Sequence, residues 1–568
     1  MPANHDPRFS AQWVRGDQPV GAPATRSLEA NTTGVLPAPA GRRGPWQLRL
    51  TLPIARIAGI WMPYGDRSTL QKVVWKGHLV GSPFFQPGLL GFVDGQLANR
   101  LLLLTEPPTR EVVIRWALDQ AGACYRVTID FGPSPASAGN VTVRFSTERR
   151  GIHEAATRLL ARTGDALAGP TPAGFFEPSF CTWYAWHGAL TQESVERCAR
   201  RARELGFGTL ILDDGWQYDA AQRVGAVLGP WHRFHGDYEP SRRKFPDFRG
   251  HVERVRGMGL RFLLWIAPMI IGVKSRAHRR IGRRLLASWL QEGEGAVDPR
   301  DRRTTDLVAN AIARLVRDYP IDGFKVDYDY ALLAPGQEPY WVGPAYAAFV
   351  ERLVRAVRAV RPEIEWNLPW NRFARGVTPA FRAVDVPFDP DSNRLFMANL
   401  RALTGHGALY SDPALWSPED PLPVVHRHVV PSLFCVPSIG APLLDLPPAH
   451  LDALRGWLGF YRRHQPVFNH GAFAARWAAG DFQAFTATDR HEQMIAAFSD
   501  YPVAVDRAVE TRIINATARG SLIVAIQQAA EATLEDADGR RAGRPGMVRA
   551  GLQRVACPPG RIIRLRGM

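Results

Sequence analysis

The sequence predicts an α/β protein: a central (β/α)8 barrel with an N-terminal β-sandwich and a small C-terminal β-domain. Three observations carry this. From Phe180 onward for about 300 residues, short apolar strands alternate with amphipathic helices, the pattern of a barrel. No Gly-rich phosphate turn follows the first of these strands, which disfavours an open doubly wound sheet. On either side of this region the texture is short strands punctuated by Gly and Pro. A chain of 568 residues also exceeds what one core fills.

Taken in order, residues 1–45 are rich in Pro, Gly, Ala and Arg without periodicity and read as a flexible leader. Residues 46–170 hold strand-like pieces at Trp46–Leu52, Gln71–Trp75, Glu111–Ala117, Cys124–Phe131 and Asn140–Ser146, as in a sandwich. A helix over 151–162 and a Gly/Pro-rich linker follow. Within the barrel, residues 175–470, strands are expected at Phe180–Trp186, Thr209–Asp213, Arg261–Ala267, Gly323–Asp327, Ile364–Leu368, Arg382–Val386, Ala408–Tyr410 and Ser432–Val436. Val195, Cys198, Ala202 and Leu205 mark one helix face, and Tyr346, Phe349, Leu353, Val357 and Val360 another. Residues 475–568 return to short strands.

Composition narrows the function. The chain is 46% hydrophobic and 22% charged, ordinary for a globular protein. Its net charge of +16 is spread along the sequence without interleaved aromatics, so no nucleic-acid partner is expected. Five scattered cysteines form no CxxC pair, suggesting neither a disulfide framework nor a zinc site. His426 and His428 lack further ligands, and neither a metal nor another cofactor is expected. The first 20 residues lack a signal-peptide pattern. The apolar stretch Phe262–Val273 is broken by Pro268 and Gly272 and is shorter than the ~20 residues of a membrane helix. A cytoplasmic protein without membrane contact follows; self-association into a homo-oligomer is left open.

Gly323-Phe324-Lys325-Val326-Asp327-Tyr328-Asp329 is the most informative stretch. Strand alternation puts Lys325, Asp327 and Asp329 on one face. A cation beside a carboxylate keeps it ionised, and an ionised carboxylate can attack a sugar carbon. The chain has only five lysines among 70 basic residues, so a lysine here is a specific choice. Other strand ends are equally polar: Asp213-Asp214-Gly215-Trp216, Trp265-Ile266-Ala267-Pro268, Trp366-Asn367-Leu368-Pro369-Trp370-Asn371, Arg382-Ala383-Val384-Asp385 and Tyr410-Ser411-Asp412-Pro413. Singly, each suits a turn or a cap. Together, carboxylates, aromatics and a few cations around one barrel mouth suit a neutral polyol.

This set resembles a glycoside hydrolase of the α-galactosidase superfamily, nearest to family 36. The resemblance rests on Cys181-Thr182-Trp183-Tyr184-Ala185-Trp186, Leu205-Gly206 through Leu212-Asp213-Asp214-Gly215-Trp216, Lys244-Phe245-Pro246, Trp265-Ile266-Ala267-Pro268 and Lys325-Val326-Asp327, in that order. It implies a retaining exo-α-glycosidase acting on an oligosaccharide or small α-galactoside. Asp327 is then the nucleophile and Asp385 the general acid/base. In short bacterial members the arginine and the acid stand one residue further apart, so Asp389 and Asp391 are alternatives. The resemblance puts Asp213 and Asp214 on hydroxyls near O4 and O6, Lys325 on hydroxyls and Arg382 near O2. Trp183, Trp216, Trp265 and Asn367 complete the candidate sugar-binding set. Asn367-Leu368-Pro369-Trp370 stands where members often carry a Cys- and Gly-containing loop. The same frame therefore also admits a raffinose- or stachyose-synthase-like galactosyl transferase, an α-N-acetylgalactosaminidase, or a binding protein without catalysis.

Overall fold

The computed structural model describes residues 9–15, 18–20, 26–28, 31–39, 46–64, 75–133, 141–164, 167–219, 231–290, 293–336, 338–383, 389–505, 509–543 and 546–567. Eight parallel strands form the barrel: β1 (Ser179–Cys181), β2 (Thr209–Leu212), β3 (Arg261–Ile266), β4 (Gly323–Val326), β5 (Glu365–Pro369), β6 (Ala380–Arg382), β7 (Ala408–Tyr410) and β8 (Ser438–Ile439). β1 pairs with β8, and the isolated bridges Tyr410↔Val436 and Ala414↔Ile439 close the gap to β7. Apart from Arg261 at the start of β3, these strands are buried because helices cover one face and side chains fill the other.

The covering helices are α1 (Gln192–Leu205), α2 (Phe248–Gly257), α3 (Arg302–Asp318), α4 (Gly343–Arg358), α5 (Pro390–Thr404), α6 (Leu422–Ser432) and α7 (Pro448–Arg463). Helix α1 shows why these segments are helical. Val195, Cys198, Ala199, Ala202 and Leu205 bury one stripe, and Thr191 and Ser194 form a capping box at its start. The crossover after β5 is different: it contains only a four-residue helix, Arg372–Arg375.

Two antiparallel sheets form the N-terminal sandwich, with Leu48, Leu50, Leu90, Leu101, Ile114 and Val127 in the core between them. Part of the expected leader belongs here. Phe9–Arg15 pairs with Gln47–Pro53, and Thr33–Pro37 pairs with Thr142–Ser146. Phe9–Arg15 alternates Phe9, Ala11 and Trp13 over a stretch too brief to stand out in a Pro- and Gly-rich region, and Thr33–Pro37 buries only Leu36. Expected strands also shift inside the barrel. The chain turns into a short helix, Trp183–Trp186, directly after β1, β6 begins at Ala380, and Ser432 still belongs to α6. Short apolar runs do not separate strand from buried helix. Of the expected strand Gln71–Trp75, all but Trp75 lies outside the described residues, as does Val384–Val386. At the C-terminus a seven-stranded and a three-stranded sheet enclose a core of Ile495, Ile513, Val524 and Ile563.

The sandwich and barrel are coupled by a helix cap. Val342 offers α4 no side-chain acceptor, and the Gly343 N–H donates instead to Glu111 Oε1 of the sandwich at 2.6 Å. Glu111 is 1% exposed, so the Gly343 N–H has no solvent substitute at hand. Glu111→Ala is expected to cost about 1–3 kcal/mol in urea unfolding. A loss within about 0.3 kcal/mol would show that the cap contributes nothing.

Candidate active site

The register of the barrel strands assembles the mouth. Trp265 stands beside Lys325, and Lys325 beside Asn367. Lys325 Nζ lies 2.6 Å from Asp213 Oδ2. Arg382, from β6, reaches Asp327 Oδ1 at 2.6 Å and donates to the Val326 carbonyl at 3.0 Å. The Trp265 indole N–H donates to Asp327 Oδ2 at 3.2 Å, and the Tyr328 amide to Asp327 Oδ1 at 2.9 Å. Asp213, Asp214, Lys325, Asp327, Asn367 and Arg382 are each 4% exposed or less, so these polar groups depend on one another rather than on bulk water.

Burial alone would raise the Asp327 carboxyl. Arg382, Lys325, the Trp265 N–H and the Tyr328 amide reverse this and hold it below the usual carboxylate range. Burial alone would likewise lower Lys325; Asp213, Cys181 and Asp327 together more than offset it, so the ammonium stays charged. Asp213 also accepts the Cys181 thiol at 3.1 Å, and its amide donates to Thr182 Oγ1 at 2.9 Å, tying the ends of β1 and β2. Asn367 Nδ2 contacts Glu365 at 3.5 Å, and among the described residues its buried Oδ1 meets no hydrogen-bond donor.

Asp214 is held from two sides. Tyr218 Oη donates to Oδ2 at 3.0 Å, and His235 Nε2 lies 2.8 Å from Oδ1. Lys244 donates to the Gly188 and Gly215 carbonyls at 2.7 and 3.0 Å and clamps the loops after β1 and β2. Gly215 has φ of 100°, and a Cβ there would meet Gly188 Cα at 2.7 Å, so the turn after the two aspartates requires glycine. Trp216 corrects one expectation. It is fully buried, donates to the Trp265 carbonyl at 2.9 Å and stacks on Phe248, so it supports the wall behind the mouth and does not face a sugar. Trp183 is half-buried, edge-on to the His187 ring at 4.9 Å. Asp412, at the end of β7, accepts from Tyr184 at 3.2 Å.

Strand alternation ends sooner than expected. Tyr328 has φ of 59°, so the chain leaves the strand and Asp329 does not share the Asp327 face. Asp329 instead opens a 3-10 turn and accepts from Tyr346 on α4 at 2.6 Å. Asp389 caps α5, accepting from the amides of Asp391 and Ser392, both at 3.1 Å, and Asp391 pairs with Arg394 and Arg427, both at 2.7 Å. Both acid/base alternatives therefore serve α5 structurally, one as its cap and one in ion pairs. Asp385 lies outside the described residues.

The sandwich braces the loop after β5. Tyr64 donates to the Trp370 carbonyl, Asn371 to the Pro83 carbonyl at 3.1 Å and Arg372 to the Thr105 carbonyl at 2.7 Å. Sequence reasoning missed Tyr64, Tyr218, His232 and His235. The His232-x-x-His235 spacing was a visible signal, though it precedes no recognisable strand. His426 accepts the Trp457 indole N–H at 2.9 Å, and burial pushes it down to about 4, the behaviour of a core histidine. Among the described residues no group of three or more His, Cys, Asp or Glu could hold a metal, and no helix is long and apolar enough to cross a membrane.

The fold and mouth define a three-part protein built on a (β/α)8 barrel with paired charges at its strand ends. No protein-family model matches the chain. An α-galactosidase of Escherichia coli is 24% identical over 197 residues, 33% of this chain and 26% of that protein. α-Galactosidase AgaA of Geobacillus stearothermophilus is 31% identical over 99 residues, 17% of this chain and 12% of that protein. The matched stretches thus span far less than two thirds of these relatives. Among solved structures, a variant of GH36 AgaA with 1-deoxygalactonojirimycin superposes with a TM-score of 0.63 at 14% identity, covering 96% of this chain and 80% of that one. TtGalA, the Thermus thermophilus α-galactosidase, solved with stachyose, gives 0.50 at 16% identity, covering 76% and 96%. The chain thus shares its fold with these solved structures and short stretches of sequence with these relatives.

Asp329 yields a stability prediction. Burial raises its carboxyl from 3.8 to about 7, with the nearby Asp327 charge adding to the rise and Tyr346 opposing it. A raised carboxyl means the folded state binds the extra proton, so stability present below pH ~4 is lost as pH rises toward ~7. Asp329→Asn keeps the neutral shape. Its melting temperature is expected to gain on wild type between pH 5 and pH 8; a flat difference across that range would refute the assignment.

Proposed function

We propose that the chain is a retaining exo-α-glycosidase that hydrolyses terminal α-galactosides. The observation that carries this is the buried Asp327 carboxylate, held ionised at the end of β4 by Arg382 and Lys325. A carboxylate so placed attacks the anomeric carbon as the glycosidic bond breaks, giving a glycosyl-enzyme. Asp385 gives its proton to the leaving oxygen. As a carboxylate it then takes a proton from water, and that water attacks the anomeric carbon and releases Asp327. One feature supports Asp385: the alternatives Asp389 and Asp391 are committed to α5 and its ion pairs. Retention calls for two carboxyl groups about 5–5.5 Å apart. Asp213, Asp214, Lys325, Asn367 and Arg382 bind sugar hydroxyls, with the half-buried Trp183 offering an apolar face, while the buried Trp265 serves through its N–H to Asp327. The names of the relatives point to galactose as the sugar.

The test is hydrolysis of p-nitrophenyl α-D-galactoside beside the α-glucoside and the α-N-acetylgalactosaminide. Release from the galactoside, with the α-anomer formed first by NMR, is the expected result. Release from another member keeps the mechanism and changes the sugar, whereas silence favours the transferase or the binding-only reading. Asp327→Asn should lower kcat at least ~10³-fold with the fold intact. Asp385→Ala should harm aryl galactosides less than disaccharides, because good leaving groups need little acid assistance. The acid limb of kcat/KM should lie below pH ~4, and Arg382→Gln should move it upward by removing the cation that holds Asp327 ionised.

A further inference from the structure

We infer that His235 is a positioning residue for Asp214, fixing the orientation in which that carboxylate accepts sugar hydroxyls; this rests on the glycosidase reading above. Asp214 Oδ1 can only accept, so His235 Nε2 carries the proton in the 2.8 Å bond between them. Tyr218 donates to the other oxygen at 3.0 Å. Each carboxylate oxygen accepts along two directions. With one direction on each oxygen taken by a protein donor, the carboxylate plane is fixed, and the directions left for a ligand are fixed with it.

The donor is itself held rigidly. His235 is 1% exposed. Its loop lies on the strand Ile270–Gly272: the Gly272 N–H donates to the His235 carbonyl at 2.9 Å, and the Lys274 N–H to the Arg233 carbonyl at 2.7 Å. A Cβ at Gly272 would overlap the His232 carbonyl oxygen, so only glycine permits this approach. The His235 ring also packs on Trp265 with centroids 5.1 Å apart, and Trp265 donates to Asp327. One imidazole therefore touches the supports of both the binding carboxylate and the attacking one. Its bond lies on the binding side, so its loss should appear in substrate affinity before it appears in turnover.

The experiment is steady-state kinetics with p-nitrophenyl α-D-galactoside on wild type, His235→Leu, His235→Gln, Asp214→Asn and the Asp214→Asn/His235→Leu double variant, with circular dichroism as a check on folding. Glutamine can place an N–H where Nε2 stood. We expect His235→Leu to raise KM at least ~30-fold with kcat within ~3-fold, and His235→Gln to recover to within ~5-fold of wild type. In the Asp214→Asn background, His235→Leu should cost less than ~3-fold, because the two residues act as a unit. Unchanged KM in a folded His235→Leu would overturn the inference alone. So would equal losses in KM and kcat without rescue by glutamine, which mark a structural role. If His235→Leu does not fold, the glutamine variant decides: a KM within ~5-fold of wild type supports the inference, and a larger rise with no coupling to Asp214→Asn overturns it. If wild type neither turns over nor binds any sugar of the panel, the glycosidase reading falls and this inference falls with it.

Discussion

Two buried ion pairs govern the mouth of this barrel. Lys325 with Asp213 joins β4 to the end of β2, and Arg382 with Asp327 joins β6 to the end of β4. A charge removed from water is costly unless paired, and breaking one buried pair typically costs about 3–5 kcal/mol. Neither partner of either pair can be lost without stranding the other. The two cations are not interchangeable. The guanidinium of Arg382 spans the Val326 carbonyl and the Asp327 carboxylate at once, which suits its rigid fork. Lys325 presents a point charge from inside the barrel, where a planar group would need more room. In a chain that favours arginine, a compact point charge is what the short Lys325–Asp213 pair uses.

The same pairs underlie the proposed chemistry. In that reading, Asp327 would be a poor nucleophile if burial acted alone, since burial favours its neutral form. Its neighbours convert a desolvated carboxyl into a desolvated carboxylate, and a carboxylate with little water around it reacts readily. Around this centre lies a layer of residues without direct chemistry. Trp216 holds the Trp265 carbonyl, Lys244 clamps two loops, and Tyr218 and His235 orient Asp214. Tight packing of these groups keeps the paired charges from relaxing toward solvent.

The sequence disclosed the barrel because its signal is periodic and repeated: apolar strands alternate with amphipathic helices such as α1 and α4. It disclosed that Asp213, Lys325, Asp327 and Arg382 meet, because they stand at strand ends, which converge on one mouth of a barrel. It concealed what depends on contacts distant in the chain. Trp216 looks like a sugar platform beside two aspartates, yet its direction is set by Phe248 and the Trp265 carbonyl. Asp389 looks like an acid following an arginine, yet the next residues are a helix it caps. Asp329 matches the strand period of Asp327, but Tyr328 breaks that period with a left-handed turn. His235 gave no strand or helix pattern at all, because a glycine on another segment, Gly272, fixes its loop. The early strands at Phe9–Arg15 and Thr33–Pro37 are short and Pro-flanked, and only their partners in the sheet define them.

The fifth crossover carries one further consequence. Where other crossovers supply a helix of ten residues or more, this one supplies four, Arg372–Arg375. Sandwich groups occupy the vacancy: Phe84 abuts Tyr346, which abuts Phe373, while Pro83 and Thr105 receive Asn371 and Arg372. The barrel thus borrows part of its outer wall from the preceding domain. Domains in a chain are commonly treated as portable parts that shuffle as units during evolution. Here the seam runs through a load shared by both sides, so a viable exchange would have to carry the sandwich and the fifth crossover together.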